Sequence, residues 1–325
     1  MVKLKCASFF AGVGGIDIGF SSTDKFEIIY ANEFDKYPIM TYELNSNIKV
    51  DNRSICDVKS DEIPDFDVML AGFPCTDISI AGNRKGLFNE DGTYTRSGLF
   101  FELIRIIKDK KPQIIFLENV KNLVTHGSGK TLEIVLESLK GLGYYCDYKV
   151  LNASEYGNVP QNRERIYIVA FNNKESLERF TFPEPIELTK TIKDVIDFNS
   201  KENDKYYYTK GKFKNDIFEK LEEAIDDDSV YQWRRTYVRK NKSGVVPTLT
   251  AGQGEGGHNV CIVKTKYGIR KMTPRECFNA QGFSKDFKLP EKMSDSRLYK
   301  QSGNSVCVPV IKRIADEIIK VIDNH

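Results

Sequence analysis

Four short segments of the sequence carry side chains that could do chemistry, and the most distinctive contains a cysteine. Residues 71–75 read AGFPC and follow an apolar run. The thiolate of Cys75 would be a strong nucleophile, and Pro74 stiffens the chain that approaches it. The glycine-containing residues 76–98 could act as a mobile lid over such a site. An inert cysteine is the alternative for this segment taken alone.

A carboxylate and two arginines form the second and third segments. Glu118 starts the tripeptide Glu-Asn-Val at the end of an apolar run, and residues 161–165 read QNRER. Glu118 could serve as an acid beside a thiol. If residues 161–165 enter a strand, alternation places Arg163 and Arg165 on one face, where they could jointly hold a phosphate or a carboxylate. A surface glutamate and a surface ion-pair ladder are the alternatives.

The fourth segment is a glycine-rich turn near the start of the chain. Residues 10–15 read FAGVGG after an apolar run, and Glu33 ends the next apolar run. Glycines let a turn pass close to a ligand, and an acid at the tip of the second strand can accept hydrogen bonds from ribose hydroxyls. The pattern predicts a nucleoside site, with NAD or a purely structural turn as alternatives.

Alternating strands and helices must position these segments. The apolar patterns predict strands at 4–10, 26–32, 67–72, 113–118, 144–151 and 165–171, and helices at 36–45, 99–110 and 130–142. This order predicts an α/β fold, a doubly wound and mostly parallel sheet with helices on both faces. Such folds bind ligands at the carboxyl ends of the strands, which is where the candidate residues fall.

The alternation stops at about residue 183, which suggests a second, smaller domain. Thr273 to Glu276 form a capping box with Pro274 at the first helical position. An apolar stripe from Val310 to Ile322 predicts a last helix that packs on the first domain. We therefore expect a first domain at 1–182, a second at 183–272, a connecting region at 273–300 and a returning C-terminal segment at 301–325.

Composition limits the classes of protein that this chain could represent. The 325 residues include seven scattered cysteines and three histidines, which argues against a disulfide framework and a metal site. With neither a signal peptide nor a long apolar run, we expect a soluble cytoplasmic protein. The net charge is only +2, yet residues 229–245 contain five basic and no acidic side chains. This stretch could contact nucleic acid or be a solvated face.

Taken in order, these segments resemble the motifs of the DNA cytosine-5 methyltransferases of bacterial and phage restriction-modification systems. The matching residues are 10–15, 72–75, 118–120, 161–165, 273–276 with 281–283, and 303–306. The resemblance covers nearly the whole chain except the variable middle. It implies a Rossmann-like methyltransferase domain and a smaller target recognition domain at 183–272.

The resemblance implies transfer of a methyl group from S-adenosylmethionine to C5 of a flipped-out cytosine, with S-adenosylhomocysteine as product. Cys75 looks like the nucleophile that adds to C6, and Glu118 like the acid that binds the cytosine edge. Arg163 and Arg165 look like the groups that orient the base and the catalytic carboxylate. Residues expected to bind the cofactor are Phe10, Ala11, Gly12, Gly14, Gly15, Glu33, Phe34, Pro74, Leu99, Asn304, Ser305 and Val306.

The expected partner is double-stranded DNA, bound by a monomer, with a cognate restriction endonuclease acting independently. Residues expected to contact DNA are Ser79, Arg84, Arg234, Arg235, Arg239, Thr248 and Gln253. The sequence departs from the family pattern in two places. Thr76 replaces the usual glutamine after the cysteine. Where an aspartate normally ends the third strand and meets adenine, gapless counting gives Ser54, so either Asp57 substitutes through a local shift or the contact is lost.

Three other functions remain open from the sequence. An RNA cytosine methyltransferase would need the same Cys75 and Glu118, although the long independent segment before Thr273 favours duplex DNA. A DNA-binding repressor with this fold would not need the thiol, the acid or the two arginines. An NAD-dependent oxidoreductase explains the glycines alone.

Overall fold

The computed structural model describes residues 3–74, 98–211, 216–226, 229–234, 236–254 and 260–323. The chain divides into two units. The first contains Met1–Leu151, Glu164–Glu184 and Val310–His325, and the second contains Asn152–Arg163 and Pro185–Pro309. No helix among the described residues is long and apolar enough to cross a membrane.

The first unit is built on a six-stranded sheet in the order β2-β1-β3-β4-β7-β5. Its strands are β1 (Leu4–Phe9), β2 (Phe26–Asn32), β3 (Val68–Gly72), β4 (Ile114–Val120), β5 (Tyr145–Asn152) and, after a two-residue strand β6 (Gln161–Asn162) of the second unit, β7 (Glu164–Phe171). The first four pair in parallel and β7 runs antiparallel to β4. The predicted doubly wound, mostly parallel sheet is confirmed.

Helices cover this sheet. The side chains of its central strands are therefore buried and mostly apolar. These helices of the first unit are α1 (Gly15–Ser21), α2 (Lys36–Asn45), α3 (Gly98–Lys110), α4 (Lys130–Gly141) and α6 (Lys174–Arg179). The single turn α5 (Ala153–Tyr156) belongs to the second unit. Strand β4 is buried from Ile114 to Asn119, as expected for a strand with both faces covered. Because β2 and β3 pair with β1 on its opposite sides, the strand order reverses at β1, and a crevice opens there at the carboxyl ends of the strands.

The second unit contains a four-stranded antiparallel sheet and a short parallel ladder between β10 and β6. Its further elements are α7 (Ile217–Ala224), β8 (Tyr231–Arg234), β9 (Tyr237–Lys240), β10 (Val246–Pro247), β11 (Cys261–Thr265), β12 (Gly268–Lys271), α8 (Pro274–Asn279) and α9 (Asp295–Asn304). The predicted capping box starts α8, and its Glu276 also pairs with the fully buried Arg270 at 2.7 Å.

The last helix, α10 (Val308–Ile322), contributes its residues from Val310 onward to the first unit. Its buried stripe includes Ile311, Ile314 and Ile318, all with no exposed surface. Helix α1 packs closely against α10, since a Cβ on Gly19 would lie 2.5 Å from Cγ2 of Ile311. The apolar stripe predicted from the sequence is therefore buried, as expected.

Two boundaries differ from those suggested by the sequence. Residues 152–163 belong to the second unit, as does the expected connecting region 273–300, which forms α8 and most of α9 there. The second unit therefore extends to Pro309 instead of ending at residue 272. Domain boundaries depend on packing between distant segments, which local sequence patterns do not reveal.

Among the described residues no strand ends at Ser54 or Asp57, and contact of either residue with adenine stays a prediction. Between β2 and β3 the chain makes one isolated bridge, from Asn32 to Asp51, and then a single 3-10 turn, Ile55–Asp57. Ser54 caps that turn through its hydroxyl. The polar residues 51–54 offer no apolar side chains with which to hold a buried strand.

Candidate active site

The glycine turn lies at the carboxyl end of β1, where the backbone leaves the ordinary conformations. Phe10 has a φ of +53° and Gly12 a φ of +56°. The turn is closed by a hydrogen bond from Gly14 N to Ala11 O, 2.9 Å long. A Cβ on Gly12 would meet no atom within 4 Å, so the turn borders open space. A ligand can therefore approach the backbone closely at Gly12.

Glu33 completes this side of the crevice at the end of β2. Its carboxylate accepts hydrogen bonds from Gly12 N at 3.0 Å and Asp35 N at 2.9 Å. Burial raises the pKa of Glu33, although the two backbone donors oppose the shift. The neighbouring Phe34 side chain is 67% exposed, unusual for a phenylalanine. A buried acid beside an exposed ring and an open glycine turn fits an adenosine group.

A buried aspartate below the same turn was not identified from the sequence. Asp17, in the first turn of α1, accepts hydrogen bonds from Ser8 Oγ at 2.6 Å and Tyr42 Oη at 2.7 Å. A Cβ on Gly14 would lie 3.0 Å from the Tyr42 ring, so this ring supports the turn directly. Burial raises the pKa of Asp17 to about 6. The only sequence signal was an acid on a helix face that otherwise faces the core.

Replacing Asp17 with asparagine should make unfolding less dependent on pH. Because the pKa of Asp17 rises from 3.8 to about 6 on folding, the stability tied to its protonated form is complete below pH 3.8 and lost as pH rises through 6. This difference between the folded and unfolded pKa corresponds to about 3 kcal/mol over the whole titration. The unfolding free energy of Asp17→Asn minus that of the unmodified protein should therefore increase by about 2.5 kcal/mol between pH 4 and 7. Urea unfolding across this range measures it, and a pH-independent difference would contradict the assignment.

Glu118 lies at the end of β4 and pairs with an arginine on the neighbouring strand. In the β4–β7 register Val120 faces Arg165, which puts Arg165 diagonally opposite Glu118 on the same face. Arg165 Nε lies 3.2 Å from Glu118 Oε1, and both side chains are nearly buried, 13% and 11% exposed. Glu118 Oε2 lies beside Gly72, its register partner on β3, where a Cβ would be only 3.5 Å away.

Asn119, whose role the sequence did not indicate, ties β4 to the segment before Cys75. Its buried side-chain amide donates a 2.9 Å hydrogen bond to Phe73 O. The carboxyl ends of β3 and β4 are therefore fastened together at the residues that precede the cysteine. Pro74 and Leu99 are half-buried. Cys75 itself, with Ser79 and Arg84, lies outside the described residues.

Arg163 lies outside the strand that holds Arg165, so the expectation that strand alternation places both on one face was wrong. A joint role of the two arginines at the catalytic carboxylate stays a prediction. Arg163 falls between β6 and β7 and belongs to the second unit. It is 2% exposed, and its guanidinium donates to the backbone carbonyls of Leu249, Gly303 and Ser305. The strand alternation assumed from the sequence is broken at this residue.

The remaining expected cofactor residues lie in the second unit, at the end of α9. Asn304 is exposed, whereas Ser305 and Val306 are 8% and 5% exposed. Their contact with the cofactor stays a prediction.

Comparison with known proteins decides the family. The model of the C-5 cytosine-specific DNA methylase family matches residues 4–320. The chain belongs to this family. The methylase is 55% identical over 319 residues to the Type II methyltransferase M.Bsp6I of Bacillus sp. (strain RFL6), covering 98% of this chain and 99% of that protein.

Two further comparisons agree with this assignment. The methylase is 37% identical over 324 residues to the Type II methyltransferase M.SsoII of Shigella sonnei, covering 99% of this chain and 82% of that one. The crystal structure of S. pombe Dnmt2 methyltransferase aligns with a TM-score of 0.76 at 17% identity, covering 99% of this chain and 100% of that one. At that identity the alignment shows the fold alone.

The methylase is thus a DNA cytosine-5 methyltransferase of the restriction-modification type, and its methyl donor is S-adenosylmethionine. The predicted family, enzyme class and cofactor are confirmed. NAD, which the glycine turn left open, is not the cofactor of this family. The geometry around Gly12, Glu33 and Phe34 is compatible with the adenosine part of S-adenosylmethionine.

Three of the expected DNA contacts of the methylase surround one pocket of the second unit. Arg234, Arg239 and Thr248 line a cavity of about 270 Å³. The other lining residues are Asn162, Gln232, Asn241, Pro247 and Thr250, so side-chain amides and guanidinium groups dominate. Arg and Asn or Gln are the side chains that read guanine and adenine edges. Arg235 lies outside the described residues.

Gln253, expected from the sequence to contact DNA, has a buried side chain, and its contact with DNA stays a prediction. Gln253 is 2% exposed, in the short 3-10 helix Ala251–Gly254. Its side-chain amide donates to Ser302 Oγ at 3.4 Å. The glycine-rich surroundings gave no sign of this inward orientation.

Proposed function

We propose that this methylase modifies C5 of a cytosine flipped out of a specific short duplex sequence, through a covalent adduct between Cys75 and C6 of the base. The observation that carries the proposal is the nearly buried Glu118–Arg165 pair beside Gly72, three residues before the cysteine. A thiol and a carboxyl at neighbouring strand ends suit nucleophilic addition assisted by an acid.

The chemistry requires the thiolate because cytosine C5 is a poor nucleophile. Cys75 Sγ adds its electron pair to C6, and the C5–C6 double bond shifts electron density toward N3. Glu118 donates a proton at N3, so the ring becomes an enamine that is nucleophilic at C5. S-adenosylmethionine, when bound, supplies a methyl group activated by its sulfonium.

Release reverses the addition. A water molecule removes the proton from C5, the C5–C6 double bond re-forms, and Cys75 leaves as a thiolate. The proton at N3 returns to Glu118. Arg165, which holds Glu118 Oε1 at 3.2 Å, keeps the carboxyl aimed at the base.

The burial of these groups supports base flipping. A cytosine stacked in a duplex cannot reach a carboxyl whose side chain is 11% exposed. Extrusion of the base costs a few kcal/mol, which phosphate and groove contacts must offset. We assign these contacts to the pocket formed by Arg234, Arg239 and Thr248. The methylase would act as a monomer, with any cognate restriction endonuclease working independently.

Bisulfite sequencing tests this function. Plasmid DNA from a host without cytosine methylation of its own, expressing the protein, should carry 5-methylcytosine at every copy of one short sequence and nowhere else. Plasmid from cells that express Cys75→Ala should carry none. Modification scattered without a common sequence, or modification of RNA alone, would contradict the proposal.

A further inference from the structure

A network of buried polar side chains in the second unit takes no part in the mechanism above. Arg163 is at its centre, 2% exposed. Its Nη1 donates to Leu249 O at 3.0 Å, and its Nη2 donates to Gly303 O at 3.1 Å and to Ser305 O. One guanidinium thus joins the segment after β10 to the end of α9, two parts of the chain that are distant in sequence.

Gln161 holds the same segment from the other side. Its Oε1 accepts from Leu249 N at 3.2 Å, so both backbone polar groups of Leu249 are bound by side chains of one short segment. Its Nε2 donates to Gln281 Oε1 at 3.2 Å. Thr248 Oγ1 donates to Asn162 O at 2.6 Å, and Val246 and Pro247 pair in parallel with Gln161 and Asn162. Residues 246–249 are therefore docked on residues 161–163 along their whole length.

Gly303 gives an independent sign that this contact is tight. A Cβ at Gly303 would overlap the backbone carbonyl of Thr250 and lie 2.5 Å from Ala251 N. Real Cβ atoms do not approach backbone this closely, so only glycine fits at this point of α9. The backbones of residues 250–251 and of Gly303 are packed directly against each other.

We infer that Arg163 is a positioning residue for DNA recognition and does not contact the base. By holding residues 248–251 against the end of α9, it fixes Thr248 and the pocket shared by Arg234 and Arg239. The inference rests on the proposed function in one respect, namely that this pocket contacts the target DNA. A buried arginine that spans three carbonyls suits the task, because its planar fork donates in several fixed directions.

Lysine cannot replace the guanidinium group of Arg163, because its charge is a single ammonium group at the end of a flexible side chain. In Arg163→Lys, residues 248–251 should shift relative to the rest of the pocket. Loss of one hydrogen bond to a charged donor predicts a dissociation constant for target DNA about ten- to a hundredfold higher. Preference for the target over a duplex with one altered base pair should fall about tenfold. The single-turnover rate at saturating DNA should stay within about fivefold, because Glu118 and Arg165 are untouched.

Three variants serve as comparisons in the same assays. Gly303→Ala disturbs the contact from its other side and should reproduce the Arg163→Lys pattern. Arg165→Lys, which acts on Glu118, should give the opposite pattern, a slow single turnover with discrimination retained. Gly141→Ala, where a Cβ meets nothing within 4 Å, is the matched glycine control and should resemble the unmodified protein. Circular dichroism and thermal melting establish that each variant is folded.

The outcomes separate this inference from the proposed function. If Arg163→Lys slows single turnover as Arg165→Lys does while target preference is intact, Arg163 acts at the reacting base and the inference fails. It also fails if folded Arg163→Lys binds and discriminates like the unmodified protein. If the unmodified protein forms no 5-methylcytosine, the proposed function fails instead. The expected split between binding and rate in both Arg163→Lys and Gly303→Ala would support the inference.

Discussion

Replacing Cys75 with alanine is expected to abolish methyl transfer while binding of S-adenosylmethionine and DNA stays within about threefold of the unmodified protein. The thiol acts only after both ligands are in place, so its loss removes the covalent step and little binding energy. Tritium transfer from labelled S-adenosylmethionine measures the rate, and equilibrium titrations measure the two affinities. An equal loss of cofactor affinity in a folded variant would place Cys75 in the binding site and not in the reaction.

A duplex with 5-fluorocytosine at the target position tests the same residue more directly. Cys75 can add to C6 and the methyl group can transfer, but fluorine on C5 cannot leave as a cation, so elimination stops. A protein–DNA adduct should survive denaturing electrophoresis, require S-adenosylmethionine and map by peptide mass to Cys75. Cys75→Ala should form none. Active enzyme without an adduct on a verified target sequence would overturn the covalent mechanism.

Local patterns were sufficient to predict most of the first unit. Strand Phe26–Asn32 and helix Lys36–Asn45 have the predicted bounds. The helix start is marked by Asp35, whose side chain accepts a hydrogen bond from Tyr37 N. Buried strands appear in the sequence as apolar runs, and helix N-caps are formed by a few residue types. Both signals lie within a few neighbouring residues, so they can be recognised from the sequence alone.

The sequence did not reveal the contacts of side chains whose partners are distant along the chain. Arg163 and Arg165 have the right spacing to share a face, but Arg163 instead binds carbonyls of residues 249, 303 and 305. No side-chain pattern marks a backbone carbonyl as an acceptor. Gln253 turns toward Ser302 for a similar reason. Asp17 was missed because its partners, Ser8 and Tyr42, come together only through packing of β1, α1 and α2.

Replacing Glu118 with glutamine is expected to slow single-turnover methyl transfer by about two to four orders of magnitude, the range for loss of general-acid assistance. Glutamine has nearly the same shape and can still hydrogen-bond the base, but it cannot transfer a proton to N3. The DNA dissociation constant should therefore change far less than the rate.

Glu164 provides the matched control for this prediction. It lies next to Arg165 in sequence, but its side chain is 43% exposed and pairs at the surface with Lys121. Such pairs contribute little, so Glu164→Gln should keep its rate within about twofold. Rapid-quench measurement with saturating DNA and S-adenosylmethionine compares the two variants at the chemical step. Equal rates for Glu118→Gln and Glu164→Gln would remove Glu118 from the mechanism. A large loss confined to Glu118→Gln would show that the carboxyl held by Arg165 takes part in the reaction, because net charge and shape change equally in both variants.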